Sequence, residues 1–303
     1  MSKGLTVREL AYRKKKKQNK FFGRGLSPLD VEILQFIWKW RRVPASCLRL
    51  ALAPNAKPDA FNRRLKKLEK HDYIDTAWES LYKRRTWILG PRAEEILPDL
   101  FPNIEGKGSG SPSRAHDYLV LAFTMGEWIF DQQNRPEYFT EQMITQLDPT
   151  TRPPWLPATL NERIPDCLMR FQKEGRERIF AIEVELNAKS QIRYEGIMRA
   201  YKGDTTISRV IWLYRDPYIV EQIQKAIREI RMPTKNFVCF VDEKDFNEKM
   251  WNAAVINECS ENIGSLSALF RGQQGLESGE MKGTTAVIRK ISDVMRPQKF
   301  IRR

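Results

Sequence analysis

Arg163–Phe171 (RIPDCLMRF) and Arg178–Leu186 (RIFAIEVEL) are two apolar-rich runs separated by Gln172–Glu177 (QKEGRE), a polar stretch containing a glycine. Both runs read as strands and the stretch between them as a turn, which predicts a hairpin. On the second run Ile179, Ala181, Glu183 and Glu185 alternate with Phe180, Ile182, Val184 and Leu186. A two-residue period puts both glutamates on one face. Asp166, on the first run, reaches that face from the paired strand. Three carboxylates at one sheet edge repel one another unless a cation neutralises them, and a hard divalent ion is the agent expected.

Downstream, a helix is predicted from about Ala188, carrying Lys189, Arg193, Tyr194, Arg199, Tyr201 and Lys202. Lys189 falls in its first turn, beside the carboxylates, where an ammonium stabilises charge on a phosphate oxygen. Tyr194 and Tyr201 share a helical face and read as packing residues or, for Tyr194, a nucleophile. Strand Arg209–Tyr214, helix Pro217–Ile230 and strand Asn236–Val241 complete a mixed α/β arrangement. Upstream, helices are predicted from Arg114 to about Gln132 and over Pro136–Leu147. The second carries Glu141, a possible additional acid for the site, and a proline-rich loop, Asp148–Asn161, follows it.

The front of the chain has a different character. Residues 1–25 form a basic arm containing Arg13, Lys14, Lys15, Lys16 and Lys17, with too few apolar residues to build a core. Ser27-Pro28-Leu29-Asp30 is a helix start, and Leu29, Ile33, Phe36, Ile37 and Trp40 make one apolar face. A short second helix follows Pro44. A third begins near Pro58, with Phe61, Leu65 and Leu68 on one side and Arg63, Arg64, Lys66, Lys67 and Lys70 over the rest. Strand-like Tyr73–Trp78 and Thr86–Leu89 flank a loop holding Lys83, Arg84 and Arg85. Three helices and a hairpin with a basic tip, over residues 26–102, resemble a winged helix-turn-helix. Such a domain lays its third helix in the DNA major groove. Residues 103–114 (NIEGKGSGSPSR) are a linker, residues 115–245 the second domain, and residues 246–303 a C-terminal extension with a basic tail.

The charge follows the same division. Of a net +14, residues 1–20 hold +7, residues 21–103 hold +5, residues 104–281 hold −4 and residues 282–303 hold +6. Basic ends around an acidic middle suit a chain that grips a polyanion and gathers carboxylates centrally, the alternative being solvated tails. The apolar runs are too short for a bilayer span, and the basic start lacks a secretory apolar segment, so a cytoplasmic protein without membrane insertion is expected. Four scattered cysteines argue against a disulfide framework or a zinc site. With only His71 and His116, the three-histidine metal centre of HUH relaxases is excluded. His71 reads as a helix cap or phosphate contact, and His116 as a structural residue.

Asp166, Glu183-Val184-Glu185 and Lys189 resemble the PD-(D/E)XK nuclease superfamily, with Pro165-Asp166 standing as the PD. Glu185 occupies the usual lysine position, so the lysine must come from the helix, at Lys189. A winged helix ahead of this pattern resembles the MOB-C relaxases of mobilisable plasmids and the related replication–relaxation proteins. The resemblance covers about residues 26–245 and implies a restriction-endonuclease-like second domain. It implies that Asp166 and Glu183 bind Mg2+ or Mn2+, with Glu185 a third ligand or general base. Lys189 would stabilise the phosphate, and Tyr194 or a metal-bound water would attack. The implied activity is nicking of one strand of double-stranded DNA at a transfer or replication origin, alongside accessory mobilisation proteins. The alternatives are a non-catalytic DNA-binding initiator with a degenerate nuclease domain, and a transposition or restriction endonuclease.

Overall fold

The computed structural model describes residues 25–79, 84–100, 113–126, 136–147, 150, 152–173, 175–232 and 236–271. The arm with Arg13–Lys17, Lys83 at the loop tip, residues 103–112 of the linker and the basic tail lie outside the described residues.

Ser27 caps α1 (Pro28–Trp40) through both halves of a capping box. Its hydroxyl accepts the Asp30 N–H at 3.3 Å, and the Asp30 carboxylate accepts the Ser27 N–H at 2.8 Å. Then come β1 (Val43–Pro44), α2 (Ala45–Leu52), α3 (Pro58–Lys70), β2 (Ile74–Glu79), β3 (Arg84–Leu89) and α4 (Pro91–Leu100). The strands pair antiparallel in the order β1-β3-β2. The three helices and the hairpin expected from the sequence are present, joined by β1 and α4, which its pattern does not show. Phe61, Leu65 and Leu68 are the buried stripe of α3, and Arg63, Lys66, Lys67 and Lys70 face outward.

The second half contains α5 (Arg114–Met125), β4 (Glu137–Thr140), α6 (Glu141–Thr145), β5 (Cys167–Lys173), β6 (Arg176–Glu185) and α7 (Gln191–Lys202). β7 (Arg209–Tyr214), α8 (Pro217–Glu229), β8 (Val238–Asp242), α9 (Glu243–Lys249), β9 (Ala254–Asn257), β10 (Asn262–Ser265) and α10 (Leu266–Arg271) follow. The seven strands form one mixed sheet, β10-β9-β8-β7-β6-β5-β4, in which β6, β7 and β8 are parallel and the other pairs antiparallel. The class is therefore mixed α/β, as expected. The expected hairpin is β5–β6, and Gly175 takes a left-handed φ of 71° in its turn, a conformation open to a residue without Cβ.

Alternation along β6 sends its two residue sets to opposite cores. Phe180, Ile182 and Val184 pack with Ile211, Leu213 and the side chains of α5, whereas Ile179 and Ala181 pack with Trp212, Phe240 and the inner faces of α7 and α8. Trp212 and Phe240 are fully buried, each contributing roughly 2–3 kcal/mol of transfer free energy.

Three sequence expectations are corrected. Pro136–Leu147 is not one helix. Glu137–Thr140 pairs with Cys167–Arg170 as the edge strand β4, and the Thr140 hydroxyl then caps α6. Strand pairing with a distant segment outweighs the local helical pattern. The helix after β6 starts at Gln191, with Ser190 as its N-cap, so Lys189 sits in the connection before the first turn. Residue 245 does not end the second domain, because β9 and β10 extend the same sheet to Ser265.

One apolar cluster runs from Leu26 through the front helices into α5 and on to Phe270. Trp40 meets Tyr138 with ring centroids 5.1 Å apart, and the Thr140 hydroxyl donates to the Lys39 carbonyl at 3.0 Å. Among the described residues no helix is long and apolar enough to cross a membrane.

Candidate active site

At the C-terminal end of β6, between α5 and α7, a cavity of about 170 Å³ is lined by Ser113, His116, Arg163, Asp166, Glu183, Glu185 and Lys189 among others. Carboxyl ends of parallel strands are where open α/β sheets place their ligands. Four of the residues expected from the sequence, Asp166, Glu183, Glu185 and Lys189, thus share one cavity.

Asp166 lies just before β5 rather than on it, and three elements, α6, β6 and α5, hold it. Its carbonyl accepts the Glu141 N–H at 2.9 Å, its Oδ2 accepts the Val184 N–H at 2.7 Å, and the same oxygen lies 3.1 Å from His116 Nε2. Burial alone would raise its pKa. The His116 charge and hydrogen bond, the Val184 amide and Arg163 together hold it below the ordinary aspartate value.

Glu183 and Glu185 share a face, as the alternation requires, and both are buried, 2% and 6% exposed. Arg163 grips Glu183 with both arms of its guanidinium, Nε donating to Oε1 at 3.1 Å and Nη2 to Oε2, while the Tyr201 hydroxyl also donates to Oε1. Burial and the neighbouring Asp166 charge raise the Glu183 pKa despite these donors. Lys189 Nζ donates to Glu185 Oε2.

The neutralising cations are thus supplied by the chain itself: His116 at Asp166, Arg163 at Glu183 and Lys189 at Glu185. Burial would depress His116, but Asp166 and Asp117 override it and raise its pKa to about 10, so the imidazolium persists at neutral pH. His116 was expected to be structural; it is part of the site. Arg163 and Tyr201 were missed as site residues. Arg163 stands three residues before Asp166 in the deciding run, and Tyr201 shares the helical face with Tyr194, but neither partner is local in sequence.

Tyr194 is fully buried against Trp212, its hydroxyl accepting the Lys189 N–H at 3.1 Å. Burial pushes its phenol up to about 12. It braces the Lys189 connection from behind. The Glu141 carboxylate binds Arg41 Nη2 at 2.9 Å in a neighbouring pocket that Asp166, His116 and Asp117 also line, and Arg41 further donates to Gln142 at 3.3 Å and to Asp117 at 3.5 Å. Arg41, at the C-cap of α1 with φ 60°, thereby links the front helices to the segment that holds Asp166.

Among the described residues no three His, Cys, Asp or Glu side chains gather closely enough to form a ready metal centre. The donor chemistry still fits Mg2+ or Mn2+. Asp166 and Glu183 are hard oxygen donors at a solvent-reached cavity, and Mg2+ is commonly held by one or two carboxylates with its remaining positions on water and phosphate.

On the front unit Arg63, Lys66, Lys67 and Lys70 are exposed along α3, and Arg85 is exposed on β3. Lys66 pairs with Glu69 at 2.7 Å and lies 5.9 Å from the Trp87 ring centre. Arg64 departs from the expected role: its Nη1 donates to Ser27 Oγ at 2.7 Å and Asp30 Oδ1 at 2.8 Å, tying α3 to the cap of α1. The chain matches no protein-family model, no curated protein and no solved structure.

Proposed function

We propose that the protein is a metal-dependent DNA endonuclease that nicks one strand, acting as a relaxase at a plasmid transfer or replication origin. The observation that carries this reading is the convergence of Asp166, Glu183, Glu185 and Lys189 on one cavity at the C-terminal end of β6. Asp166 and Glu183 would hold Mg2+ or Mn2+, with Glu185 the third acid; the bound ion would supply Lewis acidity. His116 orients Asp166, Arg163 orients Glu183, and Lys189, poised on Glu185, turns to the phosphate and stabilises its developing charge. With Tyr194 in the core, attack is assigned to water, with Glu185 positioned to take its proton. The exposed basic face of α3 supplies the duplex contact.

The test is nicking of a supercoiled plasmid carrying the cognate origin, in Mg2+ or Mn2+, by wild type and by Asp166→Ala. Conversion to open circles by wild type alone supports the reading; equal activity of the two proteins ends it. Linear product would instead identify a transposition or restriction type of endonuclease.

One observation favours a second reading, a non-catalytic DNA-binding initiator. Each of the three acids is already partnered by a cation from the chain. Salt-sensitive origin binding with no divalent-dependent cleavage and no calorimetric metal binding would select it.

A further inference from the structure

At the opposite end of the sheet, where β6 and β7 begin, lies a second cavity of about 380 Å³. Arg178 and Arg209 line it from adjacent parallel strands, and alternation puts both on the α5 face: Phe180 is the register partner of Arg209, and Arg178 is two residues before Phe180. Neither guanidinium has a carboxylate partner among the described residues; the one contact of Arg209 is to Cys239 Sγ at 3.9 Å. Lys173 adds a third positive charge, with its ammonium fixed on the Leu269 carbonyl at 2.7 Å.

The neutral groups in the lining are donors as well. Ser208 Oγ accepts the Ile179 N–H at 3.3 Å, which leaves its O–H to donate. The Asn236 side-chain oxygen accepts from Asn257 Nδ2 at 2.8 Å, which fixes the amide and leaves its NH2 to donate. Among the described residues no acid lines the cavity. Glu258, beside the cavity, accepts the Asn236 N–H on its Oε1 at 2.8 Å.

Two guanidiniums on adjacent strands, without a carboxylate partner among the described residues and with further donors beside them, leave hydrogen-bonding capacity unmet; the one acid beside the cavity among the described residues is Glu258, close to Cys239 as Arg209 is. The planar fork of Arg matches the oxygens of a phosphate. The volume lies within the range of small-ligand sites. We infer that this cavity binds a phosphate group, separately from the carboxylate site and independently of the nuclease reading. The group belongs either to a free phosphate ligand or to the backbone of a nucleic-acid strand.

The experiment uses the full-length chain and arginine modification by phenylglyoxal, mapped by mass spectrometry. Arg178 and Arg209 should react in buffer and be protected in a saturable manner by inorganic phosphate, but not by chloride at equal ionic strength. In parallel, binding of inorganic phosphate and of a short single-stranded oligothymidylate is measured by calorimetry. Arg178→Gln and Arg209→Gln should each weaken phosphate binding about tenfold, the loss of one charge-assisted contact. Asp166→Asn should leave it unchanged. Oligonucleotide binding that is tighter than phosphate binding and falls in the same two variants assigns the phosphate to a strand; binding of phosphate alone assigns it to a free ligand. Absence of specific phosphate protection at both arginines in wild type overturns the inference, and that readout requires no variant to fold.

Discussion

The two ends of the central sheet carry charge in opposite ways. At the C-terminal end of β6 each buried acid is met by a cation from another segment, so the cluster is balanced within the chain. At the N-terminal end Arg178 and Arg209 face a cavity with no acid among the described residues of its lining. The first arrangement is an interior that would fail if one partner were lost. The second needs no partner to fold, and it holds interaction capacity that only a ligand can use.

The largest expected effect tests the balanced end. Arg163→Ala leaves Glu183, 2% exposed, without its guanidinium. Breaking such a buried pair should cost about 3–5 kcal/mol in urea unfolding, whereas Arg178→Gln should stay within about 0.5 kcal/mol of wild type. Equal losses would erase the distinction between the two ends. Next, Lys189→Ala should lower plasmid nicking by about two to three orders of magnitude while changing stability much less than Arg163→Ala, as expected of a donor aimed at developing charge.

The third outcome is a pH dependence. The folded pKa of His116, about 10, lies above its ordinary 6.5. Its contribution is fully present below pH 6.5 and is lost as pH rises through 10. Relative to His116→Gln, wild type should therefore lose several kcal/mol of stability over that interval, as followed by urea midpoints. A pH-independent difference would mean that the imidazolium–Asp166 pair contributes nothing.

The smallest effects repeat the comparison on α3. Arg64→Ala removes the tie to Ser27 and Asp30 and should cost about 1 kcal/mol. Arg63→Ala should leave stability within about 0.5 kcal/mol and lower duplex affinity instead, read by fluorescence anisotropy.

The legible parts of this molecule are those set by short-range pattern. The hairpin, the shared face of Glu183 and Glu185, the β-α-β-α-β order after it and the capping box at Ser27 all follow from spacing. Lys189 was legible by proximity to Glu185, although it precedes its helix rather than opening it. The rest depends on contacts between distant segments. His116 reaches Asp166 across 50 positions and Arg163 reaches Glu183 across 20, separations at which periodicity carries no signal. Four-residue β4 runs directly into α6, so one apolar pattern covers a strand and a helix. Arg64 looks like its neighbours on α3, and only the position of Asp30 on a different helix sets it apart.

The apolar cluster that joins the front helices to α5 and α10 has a calorimetric consequence. Trp40, Phe123 and Trp251 belong to one continuous interior shared by both halves, whereas the core between the sheet and the helices α7 and α8 lies within the second half alone. Heating the intact chain should give a single endotherm, with calorimetric and van't Hoff enthalpies in agreement, rather than two resolved steps. Producing the parts before residue 101 and after residue 112 as separate chains would expose to water the apolar faces they share.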